Sequence, residues 1–358
     1  MTPWFSRPCL GAAILAGALQ ICGHAAALPF GPTGPRAVEF QPENAAEAAT
    51  HLTPNAAANL KGLHRVIVPQ FQVEYVTRSQ GLTRKERNQV TVTYSIAGLS
   101  DAALQAQTDK LYDRFVAGLQ AEGLEVVPRE QVAQAAAWAR LAAIGKPSAA
   151  AFKSESGEGR LFTAGAAPYY FYPGDTHLGT GAISWGFAQA QIGEQALGKE
   201  LDAAVLSVRL VVGIRETDKH SQMFALLRTA SSFIGDPKLD IEAGASGLFV
   251  AVNGKASGSA TRAGFVVKDD LLFHEDILAP SLKDVNGAGG TTSNAVSSAL
   301  FAGNILANMA GGGMGMKLYK SYRFEASPTE AEYLAAVDRN LSGAEDALLG
   351  QLKAAMPR

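Results

Sequence analysis

The sequence predicts an α/β fold: a mixed sheet with flanking helices, a β-rich C-terminal half and a long closing helix. Three hydrophobic patterns carry this prediction. Val66–Thr77 and Val90–Ile96 alternate apolar and polar residues at the two-residue period of strands, so a hairpin is the expected local unit. From Ser100 onward the apolar residues recur every three or four positions, as on the buried face of a helix. Leu334–Leu352 repeats that helical spacing near the C-terminus.

The first half of the chain then continues with helices and short strands. The expected elements are a helix that Ser100 caps and Gly123 ends, a strand at Leu124–Val127, a helix at Gln131–Ile144, a helix at Phe187–Leu201 and a strand at Val205–Ile214. In the first strand the polar positions are Gln70, Gln72 and Glu74. A half-buried strand turns such a set away from the core, so we expect these side chains to face solvent.

The sequence of the second half of the chain predicts more strands and two further helices. Its expected elements are a strand that approaches a hairpin turn at Asn253-Gly254, strands at Phe265–Val267 and Leu271–Phe273, a small-residue helix at Asn294–Met309 and a strand at Tyr322–Ala326. Ser327 and Glu330 have the spacing of a capping box, with Pro328 at the first helical position.

The N-terminal residues 1–27 have the pattern of a secretory signal peptide. Arg7 precedes an apolar stretch from Cys9 to Cys22, and Ala25 to Ala27 supply the small residues of a cleavage site. A retained anchor is the alternative, but the apolar stretch is shorter than the roughly 20 residues of a membrane span. We therefore expect a periplasmic or secreted protein, or one associated with the outer membrane, whose mature chain has no transmembrane span.

Composition divides the rest of the chain into three parts. A Pro/Ala-rich tether is expected over residues 28–60, with a short helix across Glu43–Thr50. An α/β body is expected over 61–326, and it includes a long aromatic and glycine-rich loop at 148–186. Residues 327–358 are expected to form a C-terminal helix that packs on the body.

Charge and motif spacing argue against several functional classes. The chain has 31 Lys and Arg against 33 Asp and Glu, without a basic stripe, so nucleic-acid binding is not expected. The histidines lack metal-ligand spacing, and the run at Gly311–Gly315 follows a helix, which is the wrong order for a phosphate loop. The sequence therefore predicts neither a metal nor another cofactor.

An aromatic segment provides the candidate partner-binding residues. They are Tyr169, Tyr170, Phe171, Tyr172 and Trp185. Aromatic side chains dominate binding hot spots, so the segment is predicted to contact other envelope proteins. The alternative is that two of the four consecutive aromatic residues fill the core beneath the loop. The small-residue helix at Asn294–Met309 is expected to be buried in the core; the alternative is self-association, because its small residues would allow close helix packing.

A second candidate site is polar. It combines Asp175 and His177 in the aromatic loop with His274 and Asp276 after a predicted strand. If these side chains converge in one cleft, the protein would be a secreted hydrolase. A small-ligand carrier that uses the loop as a lid is the other alternative.

Residues 66–214 resemble the periplasmic α/β module of the curli-secretion-channel family. The N-terminal domain of the Tol-system translocation protein and the lipoprotein activators of penicillin-binding proteins share that module. The resemblance rests on the helix end Leu119–Gly123 followed by Leu124–Glu130, on the helix segment Ile192–Lys199 and on the strand start Leu201–Leu206. It implies an α/β fold and an envelope scaffolding or assembly role, without a catalytic residue. The expected function is thus non-enzymatic binding within the envelope.

Overall fold

A computed structural model describes residues 35–85, 88–153, 157–170, 179–217, 237–252, 263–286 and 318–356 of the protein. Its strands are β1 (Ala37–Glu39), β2 (Leu52–Asn55), β3 (Arg65–Lys85), β4 (Asn88–Ile96), β5 (Glu125–Val126), β6 (Ala150–Lys153), β7 (Glu158–Thr163), β8 (Ala204–Glu216), β9 (Pro237–Ile241), β10 (Gly247–Ala251), β11 (Ala263–Val267), β12 (Asp270–Leu272), β13 (Lys283–Asp284) and β14 (Leu318–Ala326). Its α-helices are α1 (Ala45–Thr50), α2 (Asp101–Ala121), α3 (Arg129–Gln134), α4 (Ala136–Ile144), α5 (Gly179–Leu201) and α6 (Glu330–Ala355).

The strands form one large mixed sheet, which confirms the α/β prediction. Its longest strand, β3, has different neighbours along its length. The first half of β3 is parallel to β8, from Val66 opposite Ala204 to Tyr75 opposite Val212. The second half, Arg78–Lys85, is antiparallel to β4, and β4 is parallel to β14. A hairpin is therefore present, but the strand that pairs with β4 follows the predicted Val66–Thr77 segment, which pairs with β8 instead. On the other edge of β3 lies the antiparallel strand β7.

Both faces of the sheet are covered around β3 and β8. Val66 belongs to the main hydrophobic core, together with residues of α2 and α6, whereas its neighbour Ile67 belongs to a second core with residues of α4 and α5. Successive residues of a strand point to opposite faces, so β3 is buried from both sides. Helices therefore occupy the two faces, as expected for an α/β protein.

The helix ends agree with the sequence in α2 and differ in α6. Ser100 caps α2 by accepting a hydrogen bond from the backbone N–H of Ala103. The capping box of α6 consists of Thr329 and Glu332, so the predicted pair of Ser327 and Glu330 is wrong by two residues. The physical reason is that the Glu330 carboxylate instead accepts a hydrogen bond from the backbone N–H of Ser100, at 2.7 Å.

The predicted tether is wrong for its described part. β1 pairs in parallel with β12, and β2 pairs antiparallel with β11. Phe40 and Leu60 are buried in the main core, and the expected short helix is present as α1. The contacts that order this segment involve distant strands, such as the hydrogen bond from the Phe40 N–H to the Leu272 oxygen at 2.9 Å, so the local sequence does not reveal them.

The predicted long loop at 148–186 is also wrong over much of its length. β6 and β7 form an antiparallel hairpin there, and β7 joins the sheet beside β3. At the other end of the predicted loop, α5 begins at Gly179, eight residues earlier than its predicted start at Phe187.

Several predictions fall on residues that the structure does not describe. They are the signal peptide at 1–27, the turn at Asn253-Gly254 and the helix at Asn294–Met309. The strands on either side of residues 253–262, β10 and β11, pair antiparallel. Among the described helices, none is long and apolar enough to cross a bilayer.

Candidate functional site

The structure assigns two of the predicted partner-binding aromatics to the core. Tyr169 and Tyr170 are both fully buried, and the ring of Tyr170 meets Trp138 edge-on at a centroid distance of 6.4 Å. These two tyrosines match the alternative in which two of the four consecutive aromatic residues fill the core: Tyr169 lies in the main core and Tyr170 in the second core. Phe171 and Tyr172 lie outside the described residues.

The polar candidate set is not assembled within the described part of the chain. Asp175 and His177 lie outside that part. His274 and Asp276 are exposed in the turn after β12, where Asp276 Oδ1 accepts a hydrogen bond from the backbone N–H of Ala279 at 3.3 Å. Asp276 thus stabilises a local turn. The described residues contain no group of three or more His, Cys, Asp or Glu side chains placed to hold a metal ion.

A different polar group lies on the face of β3 and β8 that α5 shares. We call it the polar strip, and it comprises Gln70, Gln72 and Glu74 of β3 and Ser207 and Arg209 of β8. All five residues are buried, so the expectation that the β3 set faces solvent is wrong. The strand register places Gln70 opposite Ser207 and Gln72 opposite Arg209. The covered second face explains the burial.

An ion pair closes one end of the polar strip. Arg209 Nε donates to Glu74 Oε1 at 2.7 Å, and 4% and 1% of the two side chains are exposed. Burying two charges costs free energy that only close, well-oriented pairing can offset. At the other end, Ser207 Oγ lies 3.4 Å from Glu194 Oε1 of α5. The strip therefore connects the sheet to α5.

The two glutamines of the strip differ in how they are bonded. The Gln70 Nε2 group donates to the backbone oxygens of Pro168, at 2.9 Å, and of Pro69, at 3.2 Å. Gln70 Oε1 has no hydrogen-bond partner in the part of the chain that the structure describes. In the same part, both the Oε1 and the Nε2 atoms of Gln72 lack a partner. An amide buried in this way is uncommon, because unmet hydrogen bonds oppose folding.

A second charged group lies further along β8, beyond Gly213. Arg215 of β8 pairs with Asp240 at 2.9 Å and with Asp270 at 2.5 Å. Burial raises the pKa of Asp240 to about 6, against the lowering effect of Arg215, and the charge of Asp270 raises it further. Gly213 leaves room for this arrangement, because a Cβ there would collide with the carboxylates of Asp240 and Glu242.

An exposed apolar side chain distinguishes the outer side of α5. Ile192 is 66% exposed, and Val285 at 44% is the other large hydrophobic residue exposed in the described part of the chain. The predicted contact residue Trp185 is also in α5, seven positions before Ile192. Seven positions are close to two helical turns, so the two backbone positions lie on the same side of the helix. Nothing is described of the Trp185 side chain itself.

Sequence reasoning missed the polar strip although two signals for it exist. Arg209 interrupts the apolar run that predicts β8, and a charge in a buried strand requires a partner. Glu74, in the alternating pattern of β3, is the partner that the structure supplies. The separation of 135 residues between the two concealed the pair.

Comparisons of the chain with protein-family models, with curated proteins and with solved structures found no match.

Proposed function

We propose that the protein is an exported, non-enzymatic component of the cell envelope that binds or scaffolds other periplasmic or outer-membrane proteins. The observation that carries the proposal is the exposure of Ile192 on α5. Burying an isoleucine side chain contributes about 1.5–3 kcal/mol of favourable free energy. The exposed Ile192 does not make this contribution in the isolated chain. A partner that covers α5 would recover that free energy.

The neighbouring side chains of α5 fit the rim of such a contact. Gln195 and Lys199 are exposed at three and seven positions after Ile192, on the same side of the helix. An apolar centre with polar surroundings is the usual composition of a protein interface. The export part of the proposal rests on the signal-like residues 1–27.

Site-specific photo-cross-linking in intact cells tests the proposal. A photoreactive amino acid replaces Ile192 in one variant and Val285 in a matched control, since both side chains are exposed and apolar. We expect discrete adducts with envelope proteins from position 192 and none of the same size from position 285. Equal adduct patterns at the two positions would contradict the role of α5. Recovery of the chain from the cytosol with residues 1–27 intact would contradict export.

A further inference from the structure

The C-terminal part of β3 belongs to a three-stranded arm of the sheet. The pairing of β3 with β8 reaches Tyr75 and its pairing with β7 reaches Arg78. Beyond them, β4 is the only partner strand of residues 79–85 in the described part of the chain, and β14 lies along the other edge of β4. Residues 79–85 span roughly 20 Å, at about 3.3 Å per residue. We call residues 78–85, 88–96 and 318–326 the basic arm.

The basic arm carries a net positive charge, unlike the rest of the chain. Its sequence has a net charge of +4, from five Lys or Arg residues and Glu325, whereas the whole chain has a net charge of −2. The five basic residues are Arg78, Arg84, Lys85, Lys320 and Arg323. Residues 86–87 are a Glu and an Arg, so they leave the excess unchanged. Because β14 is distant from β3 in the sequence, the cluster does not appear there as a basic stripe.

The strand register brings three of the five basic positions to the tip of the arm. Arg84 and Lys85 are the last two residues of β3. Lys320 of β14 and Thr83 of β3 both lie opposite Val90 of β4. With neighbouring strands about 4.8 Å apart, the three backbone positions fall within roughly 12 Å of one another. No Asp or Glu occupies the rows of the register from Thr83 to Lys85.

Nearer the body, the described side chains of the arm are polar and exposed. Arg323 and Gln80 are both exposed. Arg78 is 49% exposed and contacts Glu158 Oε2 at 3.2 Å, while Lys153 contacts Glu158 Oε1 at 3.1 Å. One carboxylate therefore faces two cations. The neighbouring acidic residue on β7 thus does not neutralise the positive charge of the arm.

The composition of the tip fits a membrane surface. Leu318 and Tyr319 begin β14, directly before Lys320. Tyrosine is enriched where a bilayer meets water, and clusters of about four to eight Lys and Arg residues are typical of segments that bind anionic lipids. Each such cation near an anionic bilayer strengthens binding about fivefold. Five cations on one arm are therefore enough for measurable binding at low salt.

From these observations we propose that the basic arm docks the protein on a bilayer surface that contains anionic phospholipids. The arm is a different surface from α5, so the inference goes beyond the protein contact proposed above. The choice of a bilayer over a nucleic acid rests on the proposed export, because membranes are the extended anionic surfaces of the envelope.

Flotation with lipid vesicles tests the proposal on the purified protein. One set of vesicles contains phosphatidylcholine alone and the other also contains roughly 30% phosphatidylglycerol. We expect binding to the anionic vesicles only, with release when NaCl rises from about 0.05 M to about 0.5 M. An apolar N-terminal segment would bind both sets, so the dependence on phosphatidylglycerol is the readout. No binding, or equal binding to both sets, would overturn the proposal and leave the α5 contact to its own cross-linking test.

Two matched double variants locate the binding surface. Arg84→Gln with Lys85→Gln should weaken binding to the anionic vesicles about thirtyfold. Lys61→Gln with Lys268→Gln removes the same charge from exposed positions outside the arm and should weaken it less than about threefold. Equal weakening by the two pairs would overturn the proposal. If the arm variant aggregates without vesicles, the comparison of the two vesicle sets on the wild-type protein decides.

A soluble acidic polymer distinguishes a membrane from an acidic protein as the partner. Polyglutamate is added to the vesicle-bound wild-type protein at a charge concentration equal to that of phosphatidylglycerol. We expect the protein to stay on the vesicles, because a bilayer also accepts the apolar and aromatic residues of the tip. Complete displacement would identify an acidic protein as the better partner and overturn the proposal.

Discussion

Glu345 of α6 provides the sharpest test of how this fold is stabilised. The side chain is fully buried in the main core, and neither carboxylate oxygen has a hydrogen-bond partner in the described residues. Burial raises the pKa of Glu345 well above its ordinary value; Arg114 lowers it, while Asp346 and Asp338 raise it. Burial is the largest of these effects, so Glu345 remains protonated in the folded protein beyond the pH at which the unfolded chain ionises.

This difference makes the free energy of unfolding depend on pH. Below the ordinary pKa of 4.5, Glu345 is protonated in both states and has no effect. As the pH rises from there to the raised pKa of the folded state, only the unfolded chain ionises. Stability therefore falls by about 1.4 kcal/mol for each pH unit in that window. Above the folded pKa both states are ionised and the loss is complete.

Glu345→Gln removes this titration and keeps the size of the side chain. Urea unfolding of wild type and variant at about pH 5, 6 and 7 measures the effect, and the advantage of the variant should grow as the pH rises through that window, at no more than about 1.4 kcal/mol per pH unit. Glu130→Gln is the control, because Glu130 is exposed on α3. A difference between wild type and Glu345→Gln that stays constant with pH would refute the reasoning.

Two further predictions concern the charged groups on the sheet, and urea unfolding checks both. Gly213→Ala places a Cβ against Asp240 Oδ1 and should lower the free energy of unfolding by about 1–3 kcal/mol. The control Gly350→Ala, with no heavy atom within 4 Å of the new Cβ, should raise it by up to about 1 kcal/mol. Equal effects of the two changes would show that Gly213 is not needed for space. Glu74→Ala removes the carboxylate 2.7 Å from buried Arg209 and should cost about 3–5 kcal/mol, and a combined Glu74→Leu and Arg209→Met variant should recover most of it. A double variant no more stable than Glu74→Ala would contradict this account.

The parts of the fold that the sequence predicts are those fixed by neighbouring residues. The helix α2 begins after Ser100 and ends before Gly123, as predicted, because a side-chain cap and a glycine with positive φ act locally. The hairpin of β3 and β4 is predicted as a unit, but its pairing is not, because β4 lies beside Arg78–Lys85 and not beside the alternating Val66–Thr77 segment. Such signals depend on residues close in sequence, so a single sequence is enough to detect them at α2; at α6 a contact with the distant Ser100 displaces the predicted capping box.

The parts that the sequence does not predict depend on distant partners. β1 contains only three residues, and its stability comes from pairing with β12 more than two hundred positions later. β7 likewise becomes a strand because it lies along the edge of β3. Short segments of this kind contain too few residues to show a periodic pattern of apolar side chains. They adopt strand geometry only where the edge of a neighbouring strand provides hydrogen bonds.

The polar strip illustrates the same limit at the candidate site. The alternation of Gln70, Gln72 and Glu74 with apolar residues is the pattern of a strand with one solvent-exposed face. The pattern records which residues share a face, but it cannot record what covers that face. Here the second core closes over it, so the polar set is buried and must find partners. Glu74 finds Arg209, whereas Gln72 finds none among the described residues. A local pattern therefore predicts which residues share a face of a strand, whereas the partner that each buried polar residue finds is decided by the fold.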